Sequence, residues 1–250
     1  MREWIVGRQP VYETLRAARR QGFTLHIARG IQPKGRIADC LRLAQQRRLP
    51  VREVPREQLD KLTPIAHQGI ALQASRYPYV ALADILHRAD QSDEPPFFLI
   101  LDAVQDPQNL GTLLRTADAV GVHGVLLPPR RTATVTPAVV TASSGASEHL
   151  WITQTNLAQA IAVLKREDIW VVGLDGSPQA SPLSQVNLRG PLALVVGNEG
   201  RGMRPLVRKA CDTLLRLPMR GHVESLNAAT AGSVALYFAW QARQFSQTYP

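Results

Sequence analysis

The sequence predicts an α/β protein in two modules, the second built on a parallel sheet, and three observations carry that prediction. From Phe97 onward, short runs that are apolar throughout alternate with helical patterns, the signature of parallel strands covered on both faces. Residues 77–96 hold Pro78, Pro95, Pro96 and the polar run DQSDE, a composition suited to a linker. Residues 1–76 contain 15 Lys+Arg against 6 Asp+Glu, whereas residues 77–250 contain 14 of each, so the whole net charge of +9 lies in the first module. A basic module joined to a neutral one suits a polyanion-binding part beside a part with another task. The expected domains are therefore 1–76, a linker at 77–96, and 97–250.

In the first module, Val11, Leu15 and Ala18 share a helix face, residues 24–28 (TLHIA) form a strand, and Ile37, Leu41 and Ala44 mark a second helix. Residues 51–54 and 69–74 (GIALQA) add two strands. Arg16, Arg19, Arg20, Arg42, Arg47 and Arg48 are expected on exposed helix faces and ends, where they would meet phosphates. A short helix at 81–88 interrupts the linker. In the second module the expected strands are 97–102 (FFLILD), 124–127, 150–153, 169–174 (IWVVGL), 192–196 (LALVV) and 213–217. The expected helices are 109–120, 137–143, 157–166, 203–209 and one running from Ser225. Ligands of such sheets bind beyond the carboxyl ends of the strands, which directs attention to the loops after Leu101, Leu174, Val196 and Leu217.

Hydrophobic content of 45% and charged content of 20% are those of a globular protein, and 250 residues suffice for two cores. No basic leader followed by an apolar run opens the chain and no apolar stretch matches a bilayer span, so a cytoplasmic protein without membrane association is expected. Cys40 and Cys211 stand in different halves and the six histidines are scattered, so neither a disulfide framework nor a metal site is expected.

The loop after Leu101 reads LDAVQDPQNLGTLLRTADAVG. Asp106-Pro107 makes a turn, Asn109 precedes a helix, and Arg115 lies among apolar neighbours. By themselves these residues also suit an N-cap and a solvated helix face. The loop after Val196, GNEGRGM, has a strand before it and a helix after it. It lacks both the Gly-Lys-Ser/Thr of a P-loop and the GxGxxG of a dinucleotide site. Glu199 would repel a phosphate, which favours a cationic or neutral ligand approached by backbone amides. Residues 217–241, LPMRGHVESLNAATAGSVALYFAWQ, join a polar loop to a helix, and the pair is expected to floor a cofactor site. No serine sits in the GxSxG of a hydrolase elbow.

Taken together, DPQNLGTLLRTADAVG, LVVGNEGRGM and LPMRGHVESLNAATA resemble, in order, the three motifs of the SpoU/TrmH family of RNA ribose 2′-O-methyltransferases in the SPOUT superfamily. VGRQPVYETL and HQGIAL in the first module are similar to the substrate-binding extension of that family's ribosomal RNA guanosine 2′-O-methyltransferases. The resemblance implies an α/β SPOUT domain whose parallel sheet carries a deep trefoil knot, preceded by a small α/β RNA-binding domain. It implies S-adenosylmethionine as methyl donor, RNA as substrate and a homodimer with its active site near the subunit interface. Residues 234–240 (VALYFAW) support the dimer independently, because a helix apolar on every face needs cover.

By motif position, Arg115, Asn109, Glu199, Ser225 and Asn227 would be the catalytic residues. Leu174, Gly197, Leu217, Met219 and Leu226 would hold the cofactor. Guanidinium groups stay protonated in proteins, which favours Arg115 as a phosphate and oxyanion stabiliser over a general base. A transfer RNA substrate is the alternative within the class. A non-catalytic assembly factor on this fold is the alternative outside it, and it would have shed polar motif residues that are all present. A nucleotide-dependent enzyme acting on small molecules leaves the basic module without a role.

Overall fold

The computed structural model describes residues 2–223 and 225–244, so Glu224 of the third motif and both extreme ends of the expected domains lie outside the described residues. The chain divides into two compact units, residues 1–78 with 134–149, and residues 79–133 with 150–250. Residues 134–149 were expected in the second module, and they group instead with the first.

In the first unit the strands are β1 (Arg2–Val6), β2 (Gly22–Ala28), β3 (Val51–Val54) and β4 (Ile70–Ser75), and the helices are α1 (Arg8–Ala17), α2 (Arg36–Gln46) and the short α3 (Arg56–Asp60). They form a mixed sheet of order β1-β4-β2-β3, antiparallel except for the β2/β3 pair. The sequence reading lacked β1 and α3, since β1 opens on charged residues and only Ile5 and Val6 at its end are fully buried. The two segments that carry the substrate-binding resemblance meet here. The Gln68 side-chain oxygen accepts from Arg8 N at 3.0 Å, and Gln68 O accepts from Arg8 Nε at 3.3 Å.

Two of the six arginines depart from expectation: Arg19 is half-buried and donates to the Tyr77 hydroxyl and Pro78 O, and Arg20 departs further. Arg20 is buried, donating from Nε and Nη2 to the two carboxylate oxygens of Glu148 at 2.8 and 3.0 Å, and from Nη1 to Glu3 and to Ser75 O. Its charge is consumed inside the unit because two carboxylates face it, whereas Arg16, Arg42, Arg47 and Arg48 are exposed as expected.

The second unit contains α4 (Leu82–Asp90), β5 (Phe97–Leu101), α5 (Pro107–Ala119) and β6 (Gly124–Leu127), while α6 (Pro137–Ala142) falls in the segment that joins the first unit. After it come β7 (Ile152–Gln154), α7 (Leu157–Arg166), β8 (Trp170–Leu174), the two-residue β9 (Ser181–Pro182) and β10 (Leu192–Val196). The last elements are α8 (Pro205–Ala210), β11 (Thr213–Arg216) and α9 (Ala228–Ala242). The strands form one parallel sheet of order β7-β6-β5-β10-β8-β11-β9. β5 and β10 lie centrally and are buried along their full length, which is why they read as continuous apolar runs. Because every pairing is parallel, the loops after β5, β8, β10 and β11 leave the sheet at the same edge.

Two helix starts differ from the sequence reading. α5 is capped by Asp106, whose carboxylate accepts from Gln108 N and Asn109 N, with Pro107 in the first turn. Asn109 therefore lies inside the helix and not before it. α9 is capped by Asn227, whose Oδ1 accepts from Ala229 N at 2.9 Å and Thr230 N at 3.2 Å, so the helix runs from Ala228 and not from Ser225.

Candidate active site

The loops after β8, β10 and β11 enclose a cavity of about 620 Å³. Its walls include all five residues expected to hold a cofactor, Leu174, Gly197, Leu217, Met219 and Leu226, and three of the expected catalytic residues, Glu199, Ser225 and Asn227. The volume falls within the range of sites for small organic ligands. Met219 and Leu226 are exposed large apolar side chains, and both are on this wall.

The glycine loop after β10 is folded back on itself. Asn198 and Gly202 exchange both backbone hydrogen bonds, Asn198 N to Gly202 O at 3.0 Å and Gly202 N to Asn198 O at 2.9 Å. Gly197 sits against this fold so closely that an added methyl would lie 2.4 Å from both Gly202 C and Met203 N. Only glycine fits, because those atoms are backbone and cannot swing aside. Asn198 Nδ2 donates to Ala103 O at 2.8 Å, tying the loop to the one after β5.

Three polar residues converge at the rim, Asn109 from the first turn of α5, Glu199 from the loop after β10 and Asn227 from the cap of α9. Asn109 Nδ2 donates to Glu199 Oε1, and Asn227 Nδ2 donates to the same oxygen at 2.8 Å and to Asn109 Oδ1 at 3.3 Å. Asn227 thus spends its oxygen on the α9 cap and its amide on Glu199. The arrangement fixes one carboxylate oxygen of an exposed glutamate at the mouth of the cavity. Ser225 lines the cavity without joining this network, and Arg115 is exposed on α5 and is not among the lining residues.

Sequence reasoning passed over the groups behind the loops. Asp102, fully buried at the end of β5, accepts from Arg204 N at 2.7 Å and Arg204 Nε at 2.6 Å. The one signal for it was an acidic residue closing an otherwise apolar run, FFLILD. Asp175, on the cavity wall, accepts from Arg208 Nε at 2.8 Å and Ser177 N at 2.8 Å. Burial alone would raise the Asp175 pKa, but the hydrogen bonds from Ser177 and Arg208 outweigh it and hold the carboxyl below its ordinary range. Burial pushes the Cys40 and Cys211 thiols up to about 12, which removes both as nucleophiles. Among the described residues no group of His, Cys, Asp and Glu is arranged to hold a metal ion, and no helix is long and apolar enough to cross a membrane.

A parallel α/β sheet with a loop-walled cavity beyond its carboxyl edge, joined to a small basic domain, defines a ligand-binding enzyme domain with a polyanion-binding extension. Residues 96–237 match the SpoU rRNA methylase family, and residues 4–80 match the RNA 2′-O ribose methyltransferase substrate-binding family. The chain belongs to the SpoU/TrmH family of RNA methyltransferases. It is 40% identical over 242 residues, 96% of each chain, to YacO of Bacillus subtilis, which is assigned to the TrmH family of tRNA/rRNA methyltransferases. A Staphylococcus saprophyticus protein with the same assignment is 37% identical over 244 residues, again 96% of each chain. Among solved structures, the AdoMet-bound rRNA methyltransferase from Sinorhizobium meliloti superposes with a TM-score of 0.79 at 25% identity, over 96% of this chain and 87% of that one. The SpoU methyltransferase AviRb from Streptomyces viridochromogenes, in complex with AdoMet, shares the fold with a TM-score of 0.81 at 22% identity, over 98% and 91% of the two chains.

Proposed function

We propose that this chain transfers a methyl group from S-adenosylmethionine to a ribose 2′-hydroxyl of RNA, with a guanosine of large-subunit ribosomal RNA as the target. The observation that carries the reading is the Asn109–Glu199–Asn227 cluster, built at the mouth of a cavity whose back wall tolerates only glycine at position 197. The residues present fit the cofactor. Leu174, Leu217, Met219 and Leu226 supply apolar walls, the Gly197 loop brings backbone to the ligand, and Glu199 suits a cationic sulfonium where it would oppose a phosphate.

When bound, S-adenosylmethionine supplies an electrophilic methyl group. The protein's own work is to bring the 2′-hydroxyl into line with that group, exclude water and handle the hydroxyl proton. Glu199, held by two amides, and Ser225 orient the ribose side. Arg115 neutralises the adjacent phosphate and the developing oxyanion. Because Arg115 stands outside the cavity wall of its own chain, we assign it to a composite site completed across a homodimer interface. That interface is formed by the exposed Val234, Tyr237 and Phe238 of α9. We also propose that the chain is knotted around β10, β11 and α9. The strand order β5-β10-β8-β11 and the return of α9 over α5 and β10 favour it. A cytoplasmic location is part of the same proposal.

The test is tritiated methyl transfer. Arg115→Ala is expected to lower the rate on ribosomal RNA by about 10²-fold while leaving cofactor affinity by calorimetry unchanged. Full activity in that variant would sink the assigned role. Mapping 2′-O-methyls on ribosomal and transfer RNA separately distinguishes the two substrate classes that the relatives' names couple.

A further inference from the structure

A second cavity, of about 600 Å³, opens at the same edge of the sheet beyond β6 and β7. Arg130, Arg131 and Arg204 line it together with Pro129, Asn156 and the highly exposed Leu206, and no acidic residue is among the lining. The lining residue Arg204 is bonded to the carboxylate of Asp102. That carboxylate holds Arg204 by the backbone N and by Nε, so the guanidinium is set in one orientation by a fully buried group. Arg130 and Arg131 are exposed and follow β6 after Pro128 and Pro129.

The two cavities are adjacent along the chain. Gly202 lines the first and Arg204 the second, so their walls are separated by at most about 7 Å of backbone. Three guanidiniums with a planar fork geometry suit phosphate oxygens, and Pro129 with Leu206 offers an apolar shelf on which a base can lie. Phosphate and base together describe a nucleotide, and continuity with the first cavity describes its neighbour in the same strand.

We propose that this cavity binds a single-stranded nucleotide flanking the one that is methylated, gripping its phosphate with Arg130, Arg131 and Arg204. The inference rests on the RNA methyltransferase reading. It makes the arginine pocket a positioning device that selects unpaired RNA, because a base must leave its stack to reach the shelf.

The test uses the full chain with S-adenosylmethionine and a short oligouridylate as probe. Arg130→Ala/Arg131→Ala is compared with Arg166→Ala/Arg189→Ala, which removes the same charge from exposed sites elsewhere in this unit. The first variant is expected to flatten the dependence of log affinity on log salt by about 0.7, the contribution of the one phosphate held, and the control by much less. In methyl transfer to bulk ribosomal RNA its KM should rise about tenfold with kcat little changed, and calorimetry should give an unaltered cofactor affinity. Equal salt slopes and equal KM values in the two variants overturn the pocket assignment. Polyglutamate is titrated in parallel, and loss of its binding in the first variant with oligouridylate binding intact overturns the assignment in favour of an acidic protein partner. An inactive wild-type chain would instead strike the methyltransferase reading itself.

Discussion

Gly197 and Asp175 show how single residues set the cavity's properties. A methyl at position 197 meets two backbone atoms at 2.4 Å, so Gly197→Ala must displace the loop that carries Glu199. Calorimetry is expected to show S-adenosylmethionine affinity falling by about tenfold or more, equivalent to about 1.4 kcal/mol, while the chain remains folded. Asp175 makes a pH prediction. Its folded-state pKa is depressed, so the stabilisation from Arg208 and Ser177 is present above the unfolded carboxyl pKa and is lost as pH falls through the folded value. Urea titrations should find Asp175→Asn less stable than the parent near neutral pH, by no more than about 1 kcal/mol given the solvent access of the pair. That gap should close in acid. A gap that persists there would mean that the pair contributes through packing and not through charge.

At the scale of elements, α9 is the piece on which the site is hung. Its inner face is small, with Ala229, Gly232, Ala235, Leu236 and Ala239 buried, and Thr116 Oγ1 meets Ser233 Oγ at 2.8 Å where α9 lies along α5. A methyl at Gly232 would lie 2.6 Å from Leu113 Cδ2 and 3.1 Å from Val196 Cγ2. Gly232→Val should therefore cost about 1–3 kcal/mol in denaturant unfolding and shift Asn227 at the helix start, lowering activity along with stability. Most of the parallel sheet was legible in the sequence because β5, β6, β8 and β10 are apolar on both faces and their limits coincide with turn residues. β9 was not, since two residues carry no periodicity, and β1 was not, since it is charged at its start. The polar cluster was legible only as three separate motifs. Nothing in the spacing of Asn109, Glu199 and Asn227 says that one carboxylate oxygen receives both amides. Nor does it say that Asp106 and not Asn109 caps α5, a competition between two good capping residues that Pro107 decides by occupying the first turn.

For the whole molecule, the exposed Val234, Tyr237 and Phe238 are the basis of the proposed homodimer. Tyr237→Glu/Phe238→Glu is expected to sediment as a monomer and to lose methyl transfer while keeping cofactor binding, since the cavity wall contains neither residue. Mixing Arg115→Ala chains with Gly197→Ala chains should recover part of the activity if each site draws its arginine from the other copy. No recovery would place Arg115 in the service of its own chain. The basic first unit is less cationic on its surface than the residue count implied, because Arg20 is spent on Glu3 and Glu148.

That ion pair also bears on inheritance. Glu148 lies 128 positions from Arg20, in a segment bracketed on both sides by residues of the other unit. A fragment ending at residue 76, or a chimera that exchanges only the N-terminal stretch between relatives, separates the guanidinium from the carboxylate that holds it. Recombination that swaps RNA-binding specificity within this family would have to move residues 134–149 along with the first 78, or select a new partner for Arg20.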